Sequence, residues 1–239
     1  MKGHDWSTEQ VKSAKNPNYS KLYVITPALM DLLGNVNGKE ILEMGCGNGY
    51  WLRILTEQGA KCTGFDLSEN QIKVAKEDDP EKRIKYFVAD ASKKVDLNNE
   101  SFDIIFLEHV LLEISDLTKI KRIFKEAHRL LKDNGFLIVS ELHPLAPETN
   151  FSNIEVDEGY TYFKSGFPVK IISTKPDGTV TKYTDFHWTF QDLIDSITES
   201  GLKVVKVLEP TPDEKTVKKY PYLNYRKDKP LALMIKAQK

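Results

Sequence analysis

Hydrophobic positions along the chain alternate between short apolar runs and stretches with helical spacing. Ile41, Leu42 and Met44 form the first run, and Trp51, Leu52, Ile54 and Leu55 then recur at helical intervals. Lys61–Asp66 predicts a second strand and Ile84–Val88 a third. Ser101–Leu107 predicts a fourth, and its unbroken apolar core (Ile104, Ile105, Phe106, Leu107) suits a parallel strand buried on both faces. Ile120, Ile123, Phe124, Ala127, Leu130 and Leu131 predict an amphipathic helix ended by Asn134 and Gly135, ahead of a fifth strand over Phe136–Leu142. A helix capped by Thr189 and running through Ser200, a sixth strand over Leu202–Leu208 and a last strand over Leu231–Lys236 complete the order. This alternation predicts an α/β fold of three layers around a mainly parallel sheet.

Two stretches stand outside that rhythm. Residues 1–38 are a polar lead-in punctuated by Trp6 and a turn at 16–19, followed by a helical pattern (Leu22, Ile25, Leu29, Leu32, Leu33) that contains Pro27. A proline there either starts a helix afresh or kinks one. Residues 144–188 are rich in aromatics (Phe151, Tyr160, Tyr162, Phe163, Phe167, Tyr183, Phe186, Trp188), and Val169–Ser173 and Thr179–Tyr183 flank Lys175-Pro176-Asp177-Gly178, which predicts a β-hairpin. Its place in the chain suits a lid or acceptor pocket; a dimerisation arm, giving a homodimer, is the rival. Glu209–Pro230, with its prolines and mixed charge, reads as a surface loop. No linker divides the chain, so residues 1–239 form a single domain with an N-terminal helical cap (1–38) and an insertion (144–188).

Composition narrows the function classes. With 34 basic against 35 acidic residues the net charge is −1, which offers no global basic field for nucleic acid. No apolar run is long enough to cross a membrane, and nothing marks secretion. Cys46 and Cys62 have neither CxxC nor zinc spacing, which suits free thiols in a reducing cytoplasm and no metal site.

The chemistry concentrates at residues 41–51, where a strand runs into a loop with glycine at 45, 47 and 49 and then into a helix. Such a unit opens nucleotide-binding α/β folds. Glu43 stands two places before the first glycine, where a carboxylate would repel a pyrophosphate but suit a ligand bearing an ammonium or sulfonium. Asp66 ends the second strand, where it can accept both hydroxyls of a ribose; with Ser68 and Gln71 at capping-box spacing, Ser68 is the expected helix cap and Asp66 is left for the ligand. Asp90 falls at the end of the third strand, where it can meet an adenine amino group. His109, after the fourth strand, and His143, after the fifth, are base candidates together with His187, and position favours His143.

Ile41–Tyr50 resembles the first motif of class I S-adenosylmethionine-dependent methyltransferases, hydrophobic-hydrophobic-acidic-x-Gly-x-Gly-x-Gly. Leu131–Ser140 resembles the same family's turn before the fifth strand, and Glu108–Leu112 its fourth motif. The small-molecule branch with a type 11 or type 25 methyltransferase domain looks closest. The resemblance covers 39–142 well and 189–237 more loosely. It implies a Rossmann-like, seven-stranded sheet with an antiparallel last strand and S-adenosyl-L-methionine as cofactor. It also implies transfer of the methyl group to O, N or C of a small-molecule acceptor. Glu43, Gly45, Cys46 and Gly47 would hold the methionine side, Asp66 and Leu67 the ribose, and Asp90 with Ala91 the adenine. Leu107 and Glu108 would line the reacting side, and Tyr19 or Tyr23 would close the N-terminal segment over the cofactor. A nicotinamide-dependent oxidoreductase fits less well, because the sixth position of Gly-x-Gly-x-x-Gly is Tyr50. A non-catalytic cofactor-binding or activator subunit with the same fold is the other alternative.

Overall fold

The computed structural model describes residues 20–149, 154–174, 180–229 and 231–239. Trp6, the turn at 16–19, Tyr19, Phe151 and the tip of the expected hairpin at 175–178 lie outside the described residues.

A seven-stranded sheet forms the centre, in the order β3-β2-β1-β4-β5-β10-β9. Its strands are β1 (Glu40–Met44), β2 (Lys61–Asp66), β3 (Lys85–Val88), β4 (Phe102–Glu108), β5 (Leu131–Leu142), β9 (Lys203–Leu208) and β10 (Ala232–Gln238). The first five pair in parallel, while β10 runs antiparallel between β5 and β9. Side chains alternate across the sheet, so β4 sends Ile104 and Phe106 to one face and Ile105 and Leu107 to the other. One face carries α1 (Thr26–Leu33), α2 (Tyr50–Glu57) and α3 (Glu69–Glu77); the other carries α4 (Leu117–Leu130) and α5 (Phe190–Thr198). This is a three-layer, Rossmann-like topology.

Local chemistry sets the element ends. Ser68 caps α3 by accepting from Gln71 N, and Thr189 and Asp192 form a reciprocal capping box on α5. Pro27 sits in the first turn of α1, and a π-turn over Lys21–Ile25 runs into it with the backbone helical throughout, so the proline lies within a helical stretch whose register changes just before it.

Two expectations need correction, and a third gains a strand. The helix expected to reach Asn134 ends at Leu130, and β5 begins at once, with Asn134 at φ +62° and a register shift against Phe102–Ile104. Asn tolerates the left-handed region, so the chain bulges there and continues. The stretch expected as a loop over Glu209–Pro230 contains α6 (Glu214–Lys219), capped by Asp213, and a 3₁₀ turn over Pro221–Arg226. The aromatic insertion forms a separate three-stranded sheet in which β7 (Phe167–Thr174) and β8 (Val180–His187) pair antiparallel, with a third strand, β6 (Ile154–Val156), added on β7. Among the described residues no helix is long and apolar enough to cross a membrane.

Candidate functional site

The carboxyl ends of β1, β2, β3 and β4 meet at one edge, and backbone hydrogen bonds lock them together. Gly45 N and Cys46 N donate to Phe65 O (2.8 and 2.9 Å), and Ala89 N donates to Asp66 O (3.0 Å). Gly45, Gly47 and Gly49 all have positive φ, at +79°, +51° and +76°. Gly45 has a second constraint: a Cβ there would lie 2.5 Å from Val110 Cγ2. Val110 follows β4, so the glycine loop rests directly on the segment leaving the fourth strand.

The sequence-predicted acids converge here. The Asp66 carboxylate accepts from Gly47 N (2.9 Å) and Ser68 N (2.8 Å), so it braces the glycine loop as well as facing the edge. That revises the expectation that Asp66 is free of structural work; each oxygen keeps a second lone pair for a ligand. Burial pushes its pKa up against the pull of those amides. Asp90 accepts from the Ser92 amide (2.9 Å) and hydroxyl (2.7 Å). Burial opposes its charge, yet those bonds, with Lys93 and Lys119, hold it below the usual carboxylate range. Cys46 and Leu107 are buried beside the loop and strand; Ala91 is half-buried and Leu67 exposed.

Glu43 and Glu108 lie on the α1–α2 face of neighbouring strands. Glu43 is 2% exposed and its Oε2 has no hydrogen-bond partner; burial, then the Glu108 charge, push its pKa well up. Glu108 is buried too, but Lys21 Nζ lies 2.7 Å from its Oε2 and Trp51 Nε1 donates to the same atom at 3.1 Å. Burial opposes its ionisation, but Lys21, His109 and Trp51 lower the pKa below the ordinary value. The Lys21 ammonium also stands over the rings of Tyr50 and Trp51, at 5.2 and 5.4 Å. The site therefore already holds one cation among two carboxylates and two aromatic faces, which is the environment expected to suit a ligand carrying positive charge. Sequence reasoning did not pick out Lys21, because its partner is 87 residues away.

The histidines separate clearly. His143 Nδ1 accepts from Leu145 N (3.0 Å), and Nε2 lies 2.7 Å from Glu209 Oε1. The ring is thus a buried neutral link whose basic lone pair is already used, and burial depresses its pKa despite Glu209. The positional preference for His143 as a base therefore meets a ring whose two nitrogens both have partners. His109 adopts φ +56°, and its side chain is 45% exposed, 3.7 Å from Glu108 Oε1. His187 Nε2 lies 2.6 Å from Tyr162 O, which makes it the donor and leaves the basic lone pair on Nδ1. Burial lowers the His187 pKa, so the ring is neutral near pH 7.

His187 lines a pocket of ≈ 400 Å³, mouth included, between β5 and the β7–β8 hairpin. Glu141, Asp185, Phe186, Trp188, Leu111 and Leu112 are among its walls. Trp188 Nε1 donates to Leu111 O (3.3 Å) and Ile114 O (3.1 Å), which fastens the end of the hairpin to the turn after β4. Glu141 Oε1 accepts from Val110 N (3.0 Å) and Leu111 N (2.8 Å). Val110 is therefore shared: its side chain packs on Gly45 and its amide holds a wall of the pocket. Glu141 and Asp185 were not singled out from sequence.

Residues 42–139 match the family described as a methyltransferase domain. An S-adenosylmethionine-dependent methyltransferase from Mesorhizobium loti has the same fold, with a TM-score of 0.72 and 26% identity over 89% of this chain and 96% of that one. The ubiquinone biosynthesis O-methyltransferase of Idiomarina loihiensis is 30% identical over 131 residues, covering 52% of this chain and 53% of that protein. The demethylmenaquinone methyltransferase of Lactococcus lactis is 31% identical over 150 residues, 57% of this chain and 58% of that protein. The chain thus spans about half the length of the curated relatives it matches. With its topology, the chain carries a class I S-adenosylmethionine-dependent methyltransferase domain, and S-adenosylmethionine is the cofactor of that class. The edge fits it: a buried carboxyl with an unpartnered oxygen, Glu43 Oε2, stands beside a loop whose close approach admits no side chain at Gly45.

Proposed function

We propose that the protein transfers the methyl group of S-adenosylmethionine to an O, N or C atom of a small molecule held in the pocket between β5 and the β7–β8 hairpin. The observation that carries this is Val110, which joins the glycine loop to the pocket wall and so puts the two sites side by side. When bound, S-adenosylmethionine supplies a methyl group already activated on a sulfonium.

The chain's own residues would bind, orient and exclude water. Glu43, Gly45, Cys46 and Gly47 would face the methionine portion, Asp66 and Leu67 the ribose, Asp90 and Ala91 the adenine, and Leu107 and Glu108 the reacting side. His187 Nδ1 is the proton acceptor for acceptors that must lose a proton, since its ring is neutral and lines the pocket. The π-turn and α1 would act as a cap, with Lys21 pinned on Glu108. The hairpin supplies a pocket wall, which favours a lid over a dimer arm. The buried free thiols Cys46 and Cys62 suit a cytoplasmic setting. Two relatives have names that point to quinone precursors, but the family match ends at residue 139, before the pocket residues from Glu141 onward.

Titration calorimetry with S-adenosylhomocysteine should show saturable one-to-one binding, and NADH should show none. Release of S-adenosylhomocysteine during incubation with S-adenosylmethionine and a panel of phenols, amines and thiols separates an enzyme from a non-catalytic binding subunit. Failure to bind S-adenosylhomocysteine sinks the proposal.

A further inference from the structure

Two acids inside the pocket are unexplained by methyl transfer itself. Glu141 and Asp185, from β5 and β8, are 3% and 4% exposed. Both line the cavity. Glu141 is fixed through Oε1 by the amides of Val110 and Leu111, while its Oε2 is buried with no hydrogen-bond partner. No lysine or arginine is among the described residues that line the pocket. The two histidines there are neutral, and their Nε2–H groups are committed to Tyr162 O and Glu209.

We infer that Glu141 and Asp185 anchor a positively charged nitrogen of the methyl acceptor, an amine or other organic cation, while Trp188 and Phe186 cover its apolar part. This rests on the proposed methyl transfer, and it names the acceptor's class. An anionic acceptor would meet two acids and no cationic side chain. A neutral apolar acceptor would seal Glu141 Oε2 away from any partner, which is the least favourable outcome for a buried carboxylate. A cation gives that oxygen a charge-assisted hydrogen bond, and the aromatic walls add attraction to the positive charge. Burial, with Asp185 and Glu108 nearby, raises the Glu141 pKa against the two amides, so a cation beside it is what would favour the charged carboxylate.

The test is calorimetric, on the full chain saturated with S-adenosylhomocysteine, with benzylamine and benzyl alcohol as probes of the same shape. Benzylamine is expected to bind roughly tenfold or more tightly than benzyl alcohol, and Glu141→Gln to abolish that preference. Asp185→Asn, which leaves the β5–Val110 bond untouched, is expected to reduce the preference several-fold. Equal or weaker binding of the amine, no amine binding, or a preference unchanged in both variants overturns the inference. Those results leave the S-adenosylhomocysteine titration intact, whereas loss of that titration in the wild-type chain overturns the methyltransferase proposal.

Discussion

Glu108 and Glu141 end neighbouring strands of one sheet, yet the protein treats them in opposite ways. Each carboxyl has one bonded oxygen and one buried oxygen without a hydrogen-bond partner, but the bonded oxygen of Glu108 meets an ammonium and an indole N–H, whereas that of Glu141 meets two backbone amides. Burial raises both, but only Glu108 has a cation to reverse the sign. The edge from β1 to β4 thus already holds a cation, Lys21, beside its acids, with Asp66 tied to two amides. The pocket beyond β5 is built from side chains and is left one positive group short. A buried acid reports its partner more than its depth.

The contrast can be broken in three places, beginning with the largest effect. Gly45→Ala combines a left-handed φ with a Cβ 2.5 Å from the stiff Val110 side chain. Affinity for S-adenosylhomocysteine should fall about a hundredfold, the sum of backbone strain and overpacking. Gly45→Ala combined with Val110→Ala should recover part of that loss, and no recovery would mean the two segments are not mechanically joined.

Lys21→Met removes the counter-charge of Glu108. Because Lys21 is partly exposed, the loss is about 2 kcal/mol, below that for a fully buried pair, and the melting temperature should drop by roughly 4–8 °C at pH 7. The folded pKa of Glu108 is depressed, so its contribution is present above the unfolded value of about 4.3 and is lost as pH falls through the folded one. The gap between Lys21→Met and wild type should therefore close in acid. A gap independent of pH would remove Glu108 from the account.

Glu141→Gln should act with the opposite sign. The folded pKa of Glu141 is raised, so its contribution is full below about pH 4.3 and is lost as pH rises through the folded value. Glutamine keeps an oxygen for the Val110 and Leu111 amides and never ionises. The variant should melt roughly 2–4 °C above wild type in mild alkali, corresponding to about 1 kcal/mol, with the difference fading towards pH 4. A variant that melts below wild type in mild alkali would show that the carboxylate is needed charged.

The parallel half of the sheet was legible because its signals are local. Apolar runs, helical spacing and the glycine loop follow one another within a few residues, and Glu43, Asp66, Asp90 and Glu108 each stand at a strand end the pattern locates. What escaped depends on distant partners. β6 is three residues long and takes its existence from pairing with β7. α6 is too polar to show periodicity and owes its place to the Asp213 cap and to Glu214 and Lys218–Lys219 at its ends. In the site, position in the chain favoured His143 among three histidines, and the structure ties its ring to Leu145 and Glu209, while Glu141 two places earlier lines the cavity. Lys21 could not be assigned without knowing that the N-terminal turn reaches β4.

The position of β10 between β5 and β9 has a kinetic consequence. The parallel strands β1 to β5 are contiguous in sequence apart from their helices, but the next place in the sheet is filled by residues 232–238. Until that segment arrives, β5 presents an unpaired apolar edge and β9 has no neighbour through which to join the sheet. Closing so long a loop costs entropy before any of its contacts form, so the slow step of folding should be the late insertion of this strand. During that interval the open edge of β5 is where two chains would most readily associate in error.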